Sequence, residues 1–173
     1  QGLLHIYCGD GKGKTSAAVG MAVRAAGCGM KVLVIRFLKT ENSGEVEVLR
    51  SIPGITVPPC ERTFGFVFRM TEEQKQEAAL YYQSRFEAAA KEAVQGQYDL
   101  LILDEILASC NYGMVRETSV VEFLKNRPEK LEVVLTGRNP SETFLELADY
   151  VSEICMRRHP YEKGIPARRG IEF

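Results

Sequence analysis

Tryptophan is absent from this chain, and histidine occurs only as His5 and His159. Any apolar face offered to a flat ligand must therefore be built from Phe or Tyr. The cysteines, Cys8, Cys28, Cys60, Cys110 and Cys155, are scattered without a C-x-x-C pair. That spacing argues against a zinc site and a dense disulfide framework, so reduced thiols in a cytoplasm are expected. Charge of one sign is also lacking: the formal net charge is −1. No basic excess exists to neutralise nucleic-acid phosphates, and no nucleic-acid partner is expected. No apolar stretch approaches the roughly 18 residues needed to cross a bilayer, so no membrane role is expected either. A charged n-region and an A-x-A site are both missing, which argues against a signal peptide. The sequence opens at Gln1, almost directly on a strand pattern, which leaves room for a further N-terminal segment.

The chain has 173 residues, 45% of them hydrophobic and 26% charged, enough for one domain over residues 1–173 with its own core. No repeat, low-complexity tract or linker divides it. Short apolar runs alternate with helical patterns. Leu3–Cys8, Lys31–Phe37, Leu100–Glu105, Leu131–Gly137 and Val151–Met156 read as strands, and Ile55–Val57 as a short sixth. The second to fourth are almost continuously apolar, as in strands covered on both faces. Helical patterns run from Thr15 to about Cys28, from Thr71 to Gly96, across "TSVVEFLKN" and across "PSETFLELA". Thr71 and Gln74 form a capping-box pattern, and Gly96 supplies a stop. The alternation predicts an α/β domain with a mostly parallel sheet of five or six strands flanked by helices. Ser51–Met70 reads as a long irregular stretch, a common place for function.

The first strand leads into "CGDGKGKTS", Cys8–Ser16, and then a helix. A strand, a glycine-rich turn and Lys-Thr opening a helix is the setting of a phosphate-binding P-loop. Gly9, Gly11 and Gly13 let backbone N–H groups close on phosphate oxygens. The helix points its positive dipole end at them. Lys14 supplies charge, Lys12 a second cation, and the Thr15 hydroxyl a ligand for Mg²⁺ or Mn²⁺. Gly9, Asp10, Gly11, Lys12, Gly13, Lys14, Thr15 and Ser16 form the nucleotide-binding set. The loop is a variant, because the pattern G-x-x-x-x-G-K-[ST] places Gly where Cys8 stands. "LLILDE" ends a buried strand with Asp104 and Glu105, where P-loop proteins reach their metal. Glu105 reads either as a metal partner or as a base that activates water. Arg138 follows a strand and a glycine at the same sheet edge, facing either phosphate or solvent.

Further stretches narrow the choice: "GFVF" (Gly65–Phe68), "VVLTGR" (Val133–Arg138) and "RRHPYEKGIPARRGIEF" (Arg157–Phe173). With "GDGKGKTSAA", "RAAGCGMKVLVIRFLK" and "YDLLILDEI", they resemble the P-loop type of ATP:corrinoid (cob(I)alamin) adenosyltransferase along nearly the whole chain. The resemblance implies a RecA-like fold, a homodimer, ATP and a corrinoid as substrates, and a flavoprotein reductase as electron donor. It implies that a Co(I) corrinoid attacks C5′ of ATP and releases triphosphate, with Lys12 and Lys14 stabilising the leaving group. It implies too that the nucleotide lies reversed in the loop. Phe66 and Phe68 match the family's aromatic pair, which displaces the corrinoid's lower axial ligand and eases reduction to Co(I). Many members carry Trp at the position of Phe68. The alternative for this segment is plain core or strand, the ordinary place of aromatic side chains. Arg24 matches a family Arg, and Glu41 sits in the loop after the second strand, within conceivable reach of nucleotide or metal. His159 reads as fixing the tail loop rather than as a cobalt ligand, and His5 as packing. Arg168 stands where the family often has Gln, which bears on corrinoid preference. A RecA-like ATPase or small-molecule kinase shares the loop and the acidic pair, but it leaves "GFVF" and the tail without a role. A non-catalytic ATP-binding module is the third class.

Overall fold

A computed structural model describes residues 1–173. The strands are β1 (Leu4–Cys8), β2 (Val32–Arg36), β3 (Ile55–Thr56), β4 (Leu100–Asp104), β5 (Glu132–Thr136) and β6 (Tyr150–Glu153). The helices are α1 (Lys14–Gly27), α2 (Glu45–Ser51), α3 (Glu72–Gln95), α4 (Ile106–Asn111), α5 (Glu117–Asn126) and α6 (Glu142–Leu147). All strand pairs are parallel, in the order β3-β2-β4-β5-β1-β6. β5 thus lies between β1, which leads into the glycine loop, and β4, which ends in the acidic pair. The sheet matches the expected α/β architecture and is consistent with a RecA-like domain.

Period-two alternation divides the apolar strand residues between the two faces. Leu33, Ile35, Leu101, Leu103, Val133 and Leu135 pack with Tyr82 and Phe86 of α3 and Val120 of α5. Val32, Val34, Leu100, Ile102 and Val134 pack against α1 and α2. Helix α1 presents Ala18, Ala22 and Ala25 to the sheet, all buried. Those small side chains on one stripe let the helix approach closely, which draws its N-terminus over the strand ends.

Several boundaries depart from the sequence reading. The short strand is Ile55–Thr56 rather than Ile55–Val57, pairing with β2. Helices α2 and α4 were not expected, because six or seven residues carry too little periodicity to show. The last strand lies at Tyr150–Glu153 instead of Val151–Met156 and is exposed along its length. Ile154 N–H still donates to Cys8 O at 2.8 Å, but the chain then turns across the glycine loop. The capping box forms as expected: Gln74 N–H donates to Thr71 Oγ1 at 3.2 Å, and Thr71 N–H to Gln74 Oε1 at 2.9 Å. Gly96 ends α3 with ordinary helical dihedrals. Its role there is space, since a Cβ would stand 2.6 Å from the Tyr98 ring.

Candidate active site

The loop Gly9–Gly13 joins β1 to α1, with Gly13 at the helix N-cap and no side chain capping the first turn. The orphan N–H groups of that turn are left for a ligand, and the helix dipole favours an anion there. Lys14 Nζ curls back onto Gly11 O at 2.8 Å. Burial pushes the Lys14 ammonium's pKa down, Glu105 opposes this, and Arg138 adds to it. Lys14, Glu105 and Arg138 follow the carboxyl ends of β1, β4 and β5, adjacent strands of one parallel sheet, and so share one sheet edge. Arg138 is exposed, and Asn111 Nδ2 donates to its backbone carbonyl at 2.9 Å, tying the loop after β5 to α4.

Asp104 ends β4 and is buried, 2% exposed. Thr15 Oγ1 lies 3.1 and 3.3 Å from its two carboxylate oxygens. Thr136, at the end of β5, donates to Asp104 Oδ1 at 2.7 Å and accepts from Glu105 N–H at 2.9 Å. Glu105 adopts a left-handed backbone, φ 64°, rare for a residue with a side chain. Strain of that kind amounts to about 1–3 kcal/mol and recurs at functional sites. Burial pushes the Glu105 carboxyl's pKa up, and the neighbouring Asp104 charge adds to the rise.

Two participants escaped the sequence reading. Thr136 lies inside a quoted stretch but drew no role. Lys39, in the loop after β2, places Nζ 2.8 Å from Thr15 Oγ1 and ion-pairs with Asp104. A cation thus rests on the hydroxyl and carboxylate oxygens where a metal was expected. Those hard oxygen donors suit Mg²⁺ or Mn²⁺, which keep waters and substrate phosphates as their other ligands. No cluster of three His, Cys, Asp or Glu is present. A site completed by a nucleotide does not need one.

Other expected residues are arranged differently. Asp10 turns toward the tail, its Oδ1 accepting from Met156 N–H at 2.8 Å. Lys12 is exposed and pairs with Glu172 at 3.4 Å, while Arg168 holds the same carboxylate at 3.0 Å. Arg168 is thereby committed to the tail's own fastening. A cavity of about 620 Å³ lies between the loop and the tail, lined by Gly11, Lys12, Met156, Tyr161, Ile165 and Arg168 among others. Ser16 is exposed in the first turn of α1. Arg24 is exposed in the last turn, ten residues from Lys14 and so about 15 Å along the axis. Glu41 accepts from Cys60 N–H at 2.5 Å and pairs with Arg50 at 2.9 Å, a partnership apart from the loop. His159 Nδ1 accepts from Tyr161 N–H at 3.1 Å and caps the turn Pro160–Lys163. His5 stacks on Tyr150 with centroids 4.6 Å apart.

The tail gives the loop glycines a second reason to exist. Gly11 N–H donates to Ile154 O at 2.8 Å, so the backbones touch. A Cβ on Gly9 would meet Ile154 O at 2.3 Å, at φ 108°. Gly9→Ala is therefore expected to destabilise the fold by about 2 kcal/mol or more. ATP affinity should fall with it. Thermal melts with and without ATP check both, and an unchanged melt would contradict this packing.

Phe66 caps a single turn, Val67–Arg69, and Phe68 sits in the middle of it. They are 66% and 78% exposed, which excludes the core reading. Their rings stack with centroids 5.4 Å apart, and the Arg69 guanidinium lies 5.7 and 5.5 Å from the two ring centres. Half-buried Phe64 and Val67 and buried Met70 anchor the segment, so the exposed pair is displayed rather than loose. The stacked pair offers an exposed apolar face of the kind a flat ligand could cover.

Comparison with known proteins identifies the fold and the family. The described cytoplasmic domain of EssC shares the fold, with a TM-score of 0.54 at 15% identity over 99% of this chain and 37% of that one. Proteins named corrinoid adenosyltransferase are similar over the full chain. The one from Pseudomonas aeruginosa is 32% identical, covering 100% of this chain and 84% of its own. Those from Sinorhizobium sp and Escherichia coli (strain K12) are 34% and 33% identical, with 81% and 86% of their lengths covered. The model of the family "ATP:corrinoid adenosyltransferase BtuR/CobO/CobP" matches residues 1–173. With a nucleotide loop, an acidic strand end and a displayed aromatic pair in one chain, this protein belongs to the ATP:corrinoid adenosyltransferase family.

Proposed function

We propose that this protein, acting as a single P-loop domain over residues 1–173, transfers the 5′-deoxyadenosyl group of ATP to the Co(I) of a corrinoid. The cobalt electron pair forms the Co–C bond at C5′. The C5′–O bond breaks, and its pair leaves with the intact triphosphate. The nucleotide's phosphates are thus the leaving group, held in the loop in reversed orientation. The observation that carries this reading is the exposed Phe66–Phe68 pair, for which phosphoryl transfer has no use.

Co(I) is a strong nucleophile, so the protein supplies no general base. Its tasks are alignment and stabilisation of the departing charge. The uncapped N–H groups of α1, Lys14 and Lys12 meet the triphosphate, and Arg138 approaches from the end of β5. Thr15 and Asp104 would hold Mg²⁺ or Mn²⁺, with Glu105 beside them, and the ion would supply further positive charge to the phosphates. Phe66 and Phe68 pack beneath the corrin ring and exclude its lower ligand and water, which eases reduction of Co(II) to Co(I). A flavoprotein reductase donates the electron. The working form is a cytoplasmic homodimer, and Arg24, remote from its own loop, is free to serve across that interface.

An anaerobic assay with ATP, Mg²⁺ and chemically reduced Co(I) cobalamin tests the reading. A light-sensitive alkyl-cobalamin spectrum with intact triphosphate is expected. An unchanged corrinoid with ADP and phosphate accumulating would establish an ATPase or kinase instead.

A further inference from the structure

Lys39 belongs to none of the roles assigned above, yet its ammonium sits at the centre of the site. Leu38 adopts a left-handed backbone, φ 56°, and turns the chain back after β2. Phe37 N–H donates to Asp104 O at 3.0 Å, so this return runs along the end of β4. Lys39 Nζ then bridges Thr15 Oγ1, at 2.8 Å, and the Asp104 carboxylate. These are the oxygens that the metal reading of the loop assigns to a divalent ion. The Asp104 side chain is 3% exposed, and that of Lys39 22%. A carboxylate so buried must be paired. The lysine reaches it from the solvent side on a flexible four-carbon stem and has somewhere to go.

We propose that Lys39 is a built-in counter-cation that fills the metal seat when no nucleotide is present and yields it to the metal–nucleotide complex. A divalent ion arriving alone has to drive the ammonium off Asp104 and Thr15 into solvent. An ion arriving with a triphosphate does not, because the displaced ammonium gains phosphate oxygens as new partners. Metal and nucleotide binding are then coupled through one side chain, and by linkage each strengthens the other equally. The carboxylate is never left bare, so the metal-free protein keeps its buried charge compensated. This inference rests on the metal-and-nucleotide part of the proposed function and is independent of the corrinoid chemistry.

The test uses Mn²⁺ as the probe, without corrinoid and in the absence and presence of ATP, read by electron paramagnetic resonance and calorimetry. Wild-type protein is expected to bind Mn²⁺ weakly alone and at least about tenfold more tightly with ATP present. Lys39→Met should bind Mn²⁺ alone about tenfold more tightly than wild type and show an ATP enhancement smaller by the same factor, leaving the part that the phosphates give as metal ligands. Its melting temperature without ligands should fall and be restored by Mn²⁺ alone. Lys39→Gln, which keeps a hydrogen-bond donor to Asp104, carries the same measurement if the Met variant fails to fold. Equal Mn²⁺ affinity in wild type and a folded neutral variant overturns the proposal, whatever the fate of adenosyl transfer. If wild type shows the coupling but makes no alkyl-cobalamin, only the adenosyl-transfer reading falls.

Discussion

Lys14→Ala is expected to reduce adenosyl transfer by about 10²–10³-fold, the usual effect of deleting one preorganised charge partner from a transition state. The reasoning starts from what Lys14 does without ligand. Its only hydrogen bond is to Gly11 O, inside its own loop, at 2.8 Å. Partial burial pushes its pKa down, so its charge is held in a place that does not favour it. A ligand bearing negative charge relieves that tension. As the C5′–O bond breaks, charge grows on the triphosphate, and the interaction strengthens where it lowers the barrier. Alanine removes this while leaving the sheet and the α1 stripe of Ala18, Ala22 and Ala25 untouched. The melting curve should move little, because the side chain gives up a single hydrogen bond, to Gly11 O, together with a charge that burial disfavours. Transfer rates with pre-reduced cobalamin, together with ATP titration, check the prediction. Activity within threefold of wild type would remove Lys14 from the proposed mechanism.

Phe68→Ala is expected to separate two assays. A corrin face packed on Phe68 shields roughly one aromatic side chain, which stabilises by about 1.5–3 kcal/mol. Since each 1.36 kcal/mol is tenfold in rate, turnover from Co(II) with a reductant should drop about 10- to 100-fold. Chemically reduced Co(I) has already lost its lower ligand, so that assay should drop only a few-fold. Stability should change little. At 78% exposure the ring gives up stacking on Phe66 and proximity to Arg69, each worth about 1 kcal/mol or less. Equal losses in the two assays would leave Phe68 as an adhesive contact with no part in reduction.

Much of this architecture could be read locally. The glycine loop, Lys14 and Thr15 are contiguous, and the continuous apolar runs of β2 and β4 announce strands covered on both faces. Thr71 and Gln74 announce the start of α3 from a four-residue window. What stayed hidden depends on partners far away in sequence. Lys39 meets Asp104 across 65 positions, and Lys12 meets Glu172 across 160. No periodicity encodes such pairs. The segment after Glu153 is apolar enough to look like more strand, but Asp10 and Gly11 capture its backbone, and that competition is tertiary. The outward display of Phe66 and Phe68 was legible only through the family resemblance, because an apolar pair on its own ordinarily signals core.

The placement of β1 sets the order in which this protein becomes competent during synthesis. Leu3 N–H bonds the Glu132 side chain and Leu4 N–H the Asp149 side chain, over 129 and 145 positions. Both neighbours of β1 in the sheet, β5 and β6, emerge from the ribosome after everything else in the sheet has been made. Within this domain the glycine loop is made before every strand but β1, yet it has no wall to lean on until the residues after β6 arrive. A growing chain therefore carries its phosphate loop for most of its synthesis as a loose end beside an unpaired apolar strand. Long-range closures of this kind are slow and leave strand edges open to wrong partners. Nucleotide binding is accordingly a property gained only once the residues after β6 are made, and the nascent domain most needs protection while β1 waits for β5 and β6.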